Sequence, residues 1–245
     1  MSEKQPSPAN ANDEAHRVPD RGAAHGQESI TRIMIRPLGT PLPLGFVAFG
    51  IGTFIFSTFQ IGWIPLSESQ SLAIIILAFV FPLEFIPGLI AFFTRDTPGA
   101  TTLTILGASW LVFGLNLLVG VPGQPSAALG IFALTLAFIF IILGGVAIMG
   151  KGLIALILAI AMPRYLLVGL YQLTGAAGLQ YATGIVGLVL SAVAAYGALA
   201  LLLEDATQRT VLPLLRRGAS RTSLEGDLNQ QLGRLRQEAG VRKQL

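Results

Sequence analysis

The chain has 245 residues, of which 53% are hydrophobic and only 12% are charged, and its mean hydropathy is +0.68. Soluble domains carry about a quarter charged residues, so this composition indicates a membrane protein. Cysteine is missing from the sequence, which excludes disulfides, thiolate nucleophiles and cysteine metal sites. Both histidines, His16 and His25, lie in a polar N-terminal stretch. We therefore expect no enzyme activity, no metal site and no bound cofactor.

Residues 1–38 form that polar stretch, which is rich in Pro, Ala, Asn, Asp, Glu and Arg. It has too little apolar surface to fold alone, so we predict a disordered tail. No apolar core of the required length follows its first basic residues, which argues against a signal peptide.

The stretch from Thr40 to Phe46 predicts the start of the first helix. Pro41 and Pro43 suit a first turn, where backbone amides lack intrahelical partners. Thr40 is a candidate cap for that turn, and Gly45 allows a backbone or a small ligand to approach closely. An ordinary proline-rich start of a membrane helix is the alternative to a functional motif.

Six apolar runs follow, each near the ~20 residues that cross the hydrocarbon core of a bilayer. They span residues 43–63, 71–93, 100–121, 127–149, 153–173 and 178–203. The connections are short and contain turn-forming Pro, Gly and Ser, so successive helices are expected to run antiparallel. The sequence therefore predicts an all-α membrane protein whose six-helix bundle occupies residues 39–214.

Basic residues mark one side of the predicted bundle. The tail holds five Lys and Arg, Arg95 and Lys151 lie in the second and fourth connections, and eight more follow the sixth run. The opposite connections have none. Because basic segments are retained in the cytoplasm, we predict a plasma-membrane protein with both termini on the cytoplasmic side.

Residues 215–245 are expected to form a basic cytoplasmic tail that is partly helical. Thr222 and Glu225 have capping-box spacing, and Leu228, Leu232 and Leu235 recur at helical intervals. A helix packed on a copy of itself, a helix lying on anionic lipid and a frayed tail all fit this pattern.

Two ionisable residues lie near the middle of apolar runs, Glu84 in the second and Arg164 in the fifth. A charge at the bilayer centre costs ~2.5 to 3.5 kcal/mol on insertion scales, so such residues usually face inward. In a functional interpretation, Arg164 attracts a carboxylate and Glu84 is its counter-ion or a proton acceptor. In a structural interpretation, the two form a buried ion pair that pins the second helix to the fifth.

Other polar or small residues inside the runs are weaker signals. Asn116 is expected to bridge helices or to face a pore. The sixth run carries small residues at helical spacing, which predicts a face for close helix packing. They are Gly184, Gly187, Ser191, Ala194 and Ala195.

Three segments of the chain carry a family resemblance. Residues 40–46 resemble the Asn-Pro-Ala-Pro-Leu-Gly-Leu signature of the acetate uptake transporter family, the YaaH or succinate-acetate permease group, with Thr40 for Asn and Leu42 for Ala. Residues 88–110 are similar to the end of its second helix, its Asn-Thr-Phe-Gly loop (here residues 96–99) and its Tyr-Gly-x-Phe-Trp third helix (here residues 106–110). Residues 209–213 resemble the Gly-Arg-Thr-Val-Leu-Pro that follows its last span. The resemblance covers residues 40–214.

This resemblance implies a six-helix protomer in a homo-hexamer, with a path for acetate and related small carboxylates through each protomer. It places the aromatic residue of a narrow point on Phe49, a tyrosine of the same point on Leu106, and a path-facing glutamine on Glu84. Arg164 would lie about one turn below the fifth-helix constriction. Because a tyrosine and an amide are exchanged for a leucine and two charges, the substrate is expected to be acetate or another small organic anion.

We therefore expect a transporter or channel for acetate or related small carboxylates, with proton coupling left open. Its partners would be carboxylate anions, the lipid bilayer and further copies of the chain, and not nucleic acid. A non-transporting membrane sensor or scaffold of the same fold is the alternative. The predicted pathway residues are Thr40, Pro41, Pro43, Gly45, Phe49, Glu84, Leu106 and Arg164.

Overall fold

The computed structural model of the chain describes residues 39–94, 96–121 and 123–217. Six helices in this part are long and apolar enough to cross a membrane. They are α1 (Leu42–Gln60), α2 (Leu66–Phe93), α3 (Thr97–Val119), α4 (Ala127–Ala147), α5 (Gly152–Thr174) and α6 (Ala177–Thr207). The predicted all-α, six-helix membrane fold is confirmed. The predicted tail of residues 1–38 and the helix after Thr222 lie outside the described residues.

The cap residue of α1 lies one position after the predicted cap, Thr40. Pro41 occupies the cap position, Pro43 lies in the first turn, and no side chain caps this end of the helix. The Gly45 amide donates to the Pro41 carbonyl at 3.4 Å. Thr40 stands before the cap and is exposed, so its predicted role as the cap is wrong.

Two other helices begin earlier than predicted. Residues 97–99 were expected to be a connection but form the first turn of α3. Pro98 fits there because backbone N–H groups of a first turn have no intrahelical acceptor, so its missing N–H costs no hydrogen bond. The Asp96 carboxylate accepts a hydrogen bond from the Gly99 amide at 2.9 Å and caps the helix. α2 begins at Leu66 with a 3₁₀ turn, because polar residues are tolerated in the first turns of a membrane helix.

α2 changes its winding along its length. After the 3₁₀ turn and an α-helical stretch, Ile76–Val80 is a π-helix, and Phe81–Phe93 is α-helical again. Pro82 lies two residues after the π-helix and has no backbone N–H to donate. A π-turn holds one more residue than an α-turn, and the stretch that follows it buries Glu84 completely.

α1 and α6 pack through small residues. The Ser191 hydroxyl donates to the Gly50 carbonyl at 2.9 Å. A methyl group added at Gly184 would lie 2.9 Å from the Ser57 carbonyl oxygen, so only glycine permits this approach. The predicted packing face on the sixth helix is confirmed for Gly184, Gly187, Ser191 and Ala194, which are buried. Ala195 is exposed, so its predicted place on this face is wrong.

The segment after α6 folds back against the connection between α4 and α5. The Gly152 amide donates to the Leu215 carbonyl at 3.2 Å, and the Arg217 amide donates to the Gly150 carbonyl at 3.0 Å. Glu204, near the end of α6, forms an ion pair with Arg216. These contacts fix the chain that leaves the last helix.

An ion pair between Lys151 and Asp96 joins the α4–α5 connection to the α2–α3 connection at the same end of the bundle. We call this end, with the start of α1 and residues 208–217, the basic end. The opposite end consists of residues 61–65, 120–121, 123–126 and 175–176, which hold no Lys or Arg, and we call it the uncharged end. The described residues therefore keep the basic connections together, as the sequence predicts.

Candidate functional site

A polar cavity opens between the helices in the half of the bundle near the uncharged end. Its volume is about 640 Å³, counting the space at its open mouth. Side chains with amides or a phenol line much of it: Gln60, Asn116, Gln124, Tyr171, Gln172 and Gln180. No acidic or basic side chain is among its lining residues. Of the two alternatives for Asn116, the structure supports the one in which it faces a cavity.

A smaller apolar chamber lies in the half near the basic end, with a volume of about 290 Å³ when the space at its open mouth is counted and room for about one water-sized group inside. Phe49 of α1 and Leu106 of α3 both line it, so the structure brings together these two predicted pathway residues. The other lining residues are Phe46, Gly99, Thr102, Leu103, Ile154 and Ile157. The chamber therefore offers aliphatic and aromatic contacts and one hydroxyl.

The remaining predicted residues of the first helix lie outside both cavities. Gly45 is buried, and a methyl added there would lie 2.9 Å from the Leu103 side chain. The close approach at Gly45 is therefore made by a leucine side chain of α3. Thr40 is exposed, and Pro41 is half-buried. Pro43 is buried in the first turn of α1.

An aromatic layer of five side chains separates the two cavities. It consists of Phe49, Phe56, Trp110, Phe113 and Tyr165. Ring centroids are 6.5 Å apart for Phe49 and Trp110, and 6.0 Å apart for Phe56 and Trp110. Trp110 and Tyr165 line neither cavity and are at most 2% exposed. In this conformation, the rings close the interior at mid-depth.

Glu84 is held at this depth by the layer. It is fully buried, and its Oε2 accepts a hydrogen bond from Trp110 Nε1 at 2.6 Å. Its other oxygen, Oε1, has no hydrogen-bond partner among the described residues. The acid on α2 is thereby tied to α3 and keeps an unused acceptor in the interior.

Arg164 points from α5 towards α1 and α6. It is 3% exposed, and its Nη2 donates to Gln60 Oε1 at 3.4 Å. Its Cζ lies 6.0 Å from the centroid of the Phe56 ring, a cation–π distance. Its Nε has no hydrogen-bond partner in the described part of the chain. A methyl group added at Gly187 of α6 would lie 2.7 Å from that Nε, so a glycine there leaves room for the guanidinium.

Glu84 and Arg164 form no ion pair with each other in the described structure, so the structural interpretation of the sequence is wrong. Matching depth places two groups at one level of the bundle but does not set the direction of their side chains. Glu84 turns to Trp110 on α3, and Arg164 turns to Gln60 on α1. A chain of contacts through the rings of Trp110 and Phe56 connects the two charges.

Sequence reasoning missed several residues of this layer. It did not single out Phe56, Gln60 or Tyr165, and it used Trp110 only as part of a motif. The Tyr165 and Ser109 hydroxyl oxygens are 2.7 Å apart in a buried hydrogen bond between α5 and α3. A signal for them exists, because a tryptophan and a tyrosine in the middle of apolar runs need a polar partner.

Comparisons with known proteins identify the family and the fold. The family model described as GPR1/FUN34/yaaH family matches residues 23–216. The succinate-acetate/proton symporters SatP of Escherichia coli K12 and Shigella flexneri are 28% identical over 189 residues, which is 72% of this chain and 95% of each relative. A solved structure of the bacterial acetate channel SatP has the same fold, with a TM-score of 0.63 and 23% identity, covering 72% of this chain and 99% of the other.

Proposed function

The chain belongs to the GPR1/FUN34/yaaH family, and we propose that it carries acetate or related small carboxylates across a membrane as a transporter or channel. The observation that carries this proposal is the pair of cavities on opposite sides of the aromatic layer, with Glu84 and Arg164 buried at the layer. A buried acid and base without each other as partners point to a polar route through an apolar bundle.

The two cavities suit the two parts of a small carboxylate. Amide groups such as those of Gln60 and Asn116 can donate hydrogen bonds to carboxylate oxygens. The apolar chamber at Phe49 and Leu106 has room for a group of about the size of a methyl. Phe49 and Phe56 are seven residues apart, which is about 10 Å along a helix, so a substrate would pass only a short closed section.

We assign pathway roles according to this route. Arg164 and Glu84 would contact the substrate at the aromatic layer, and Phe49 and Leu106 would contact it in the chamber. Thr40, Pro41, Pro43 and Gly45 lie where α1 begins, at the basic end. We propose that they shape the exit from the chamber, since Gly45 lies against Leu103 of its wall.

Uptake of labelled acetate into liposomes tests the function. We expect liposomes that contain the purified protein to take up acetate several times faster than protein-free liposomes, which report passive diffusion of the neutral acid. Succinate and propionate serve as further substrates. Faster uptake with an inward proton gradient indicates symport, whereas equal rates indicate a channel. Rates equal to those of protein-free liposomes would contradict the proposal and favour a sensor or scaffold.

We propose that both termini face the cytoplasm of a plasma-membrane protein, which the basic end supports. A cysteine-free chain allows a direct test with Ser67→Cys at the uncharged end and Asp205→Cys at the basic end, both exposed positions. In intact cells, an impermeant maleimide should label only the Ser67→Cys variant. Labelling of the Asp205→Cys variant alone would show the opposite topology.

The homo-hexamer implied by the family resemblance is also a proposal, which the mass of the purified assembly tests.

A further inference from the structure

We infer that Arg164 and Gln60 form an anion-binding site for one carboxylate, with Gln60 in the floor of the polar cavity and Arg164 directly behind it. The inference rests on the proposed function and adds the place where the substrate is held and its charge state there. It concerns residues of α5 and α1 that lie outside the apolar chamber.

The first support is the lack of hydrogen-bond partners for the Arg164 guanidinium. A guanidinium has five N–H donors, yet within the described ranges its only side-chain hydrogen bond is the 3.4 Å contact to Gln60, and Nε has no partner. Leaving a buried cation without a counter-charge costs several kcal/mol. Glu84 does not supply that counter-charge, because its carboxylate bonds to Trp110.

The second support is the position of the guanidinium relative to the cavity. Gln60 and Phe56, which contact Arg164, both line the polar cavity, and so does Val168, one helical turn along α5. Gln60 Oε1 accepts from Arg164, which leaves the Nε2 amide group of Gln60 as a donor beside the same cavity. Arg164 itself is not among the lining residues, so an anion would first meet the Gln60 amide and would reach the guanidinium after a shift of the Gln60 or Phe56 side chain.

The third support is the chemistry of the surroundings. No acidic side chain lines the cavity to repel an anion. Of the groups that flank the guanidinium, Phe56 and Gly187 carry no acceptor side chain, and the Ser57 hydroxyl beside Gly187 donates its hydrogen bond to the Thr53 carbonyl. The planar fork of arginine matches the two oxygens of a carboxylate. The site therefore favours the ionised carboxylate over the neutral acid.

Trp110 provides a binding assay that does not depend on transport. The chain has two tryptophans; Trp63 is 70% exposed and lies outside the layer, whereas Trp110 packs against Phe56. In a Trp63→Phe background, we expect acetate to change the Trp110 emission saturably at constant ionic strength. Acetamide, the neutral molecule of nearly the same shape, should have little effect.

Substitution of Arg164 gives the decisive comparison. Arg164→Gln should weaken acetate binding by roughly tenfold or more, as expected for the loss of a charge-assisted hydrogen bond, and Arg164→Lys should weaken it less. Acetate should also raise the unfolding midpoint of the parent protein but not that of Arg164→Gln. If Arg164→Gln fails to fold, Gln60→Leu should still weaken acetate binding severalfold.

Unchanged acetate affinity in the folded Arg164 variant, equal binding of acetamide, or no acetate effect on either emission or melting would overturn the site. If Arg164→Gln fails to fold, unchanged affinity in Gln60→Leu would overturn it as well. These results can be separated from a failure of the proposed function. Acetate binding that depends on Arg164, without any uptake, would support the site and refute transport. Normal uptake together with unchanged binding in Arg164→Gln would support transport and refute the site.

Discussion

Replacing Trp110 with phenylalanine should lower the free energy of unfolding by roughly 3 kcal/mol, from the lost hydrogen bond and the smaller ring together. Trp110 Nε1 donates the only hydrogen bond that the Glu84 side chain receives in the described structure. Both side chains are fully buried, so no solvent replaces the donor. Thermal unfolding in detergent micelles, followed by circular dichroism, measures the change.

Trp63→Phe is the matched control, because Trp63 is 70% exposed and should tolerate the same exchange with little loss. A second comparison separates the hydrogen bond from packing. In a Glu84→Met background, Trp110→Phe should cost about 1 kcal/mol less than in the parent protein, because no carboxyl then loses its donor. An equal cost in both backgrounds would assign the whole effect to the volume of the indole ring.

Gly88→Ala should be strongly destabilising, with a cost of roughly 3 kcal/mol at the upper end of overpacking effects. A methyl group there would lie 2.7 Å from both the backbone nitrogen and the hydroxyl oxygen of Thr104. Backbone cannot rotate away as a side chain can, so α2 and α3 would have to separate. Glu84 lies one turn before Gly88, so the Glu84–Trp110 bond should weaken as well.

Gly145→Ala tests whether the loss at Gly88 is steric. Gly145 lies in α4, and a methyl group added there would meet no atom within 4 Å. Its unfolding midpoint should therefore stay within a degree or two of the parent value, or rise slightly because alanine favours helix. A comparable loss of stability in both variants would show that the loss arises from the backbone flexibility of glycine and not from close packing.

The six helices could be predicted from the sequence because a bilayer demands a fixed length of apolar residues. Helix starts were predicted less well. Residues 97–99 and the turn at Leu66 contain polar or turn-forming residues that a hydropathy pattern assigns to connections. A helix nevertheless accepts such residues in its first turn, where Pro98 gives up no hydrogen bond.

The sequence predicts at which depth of the bundle the candidate site lies, but not in which direction its charged side chains point. Glu84 and Arg164 stood out because charges are costly in mid-membrane, and Phe49 and Leu106 do share one chamber. The partners of the two charges were not predictable. Whether Arg164 turns to α1 or α2 depends on local room, which Gly187 provides on α6, and on how the helices rotate against each other.

The π-helix at Ile76–Val80 has a consequence for comparing this chain with others. Each residue of an α-helix advances about 100° around the axis, so one additional residue in a turn shifts the phase of everything beyond it. In a relative without the additional residue of the π-turn, the residue next to the one aligned with Glu84 would point in the direction that Glu84 takes here. Alignment columns past this turn therefore identify equivalent side chains only when the winding of the helix is taken into account.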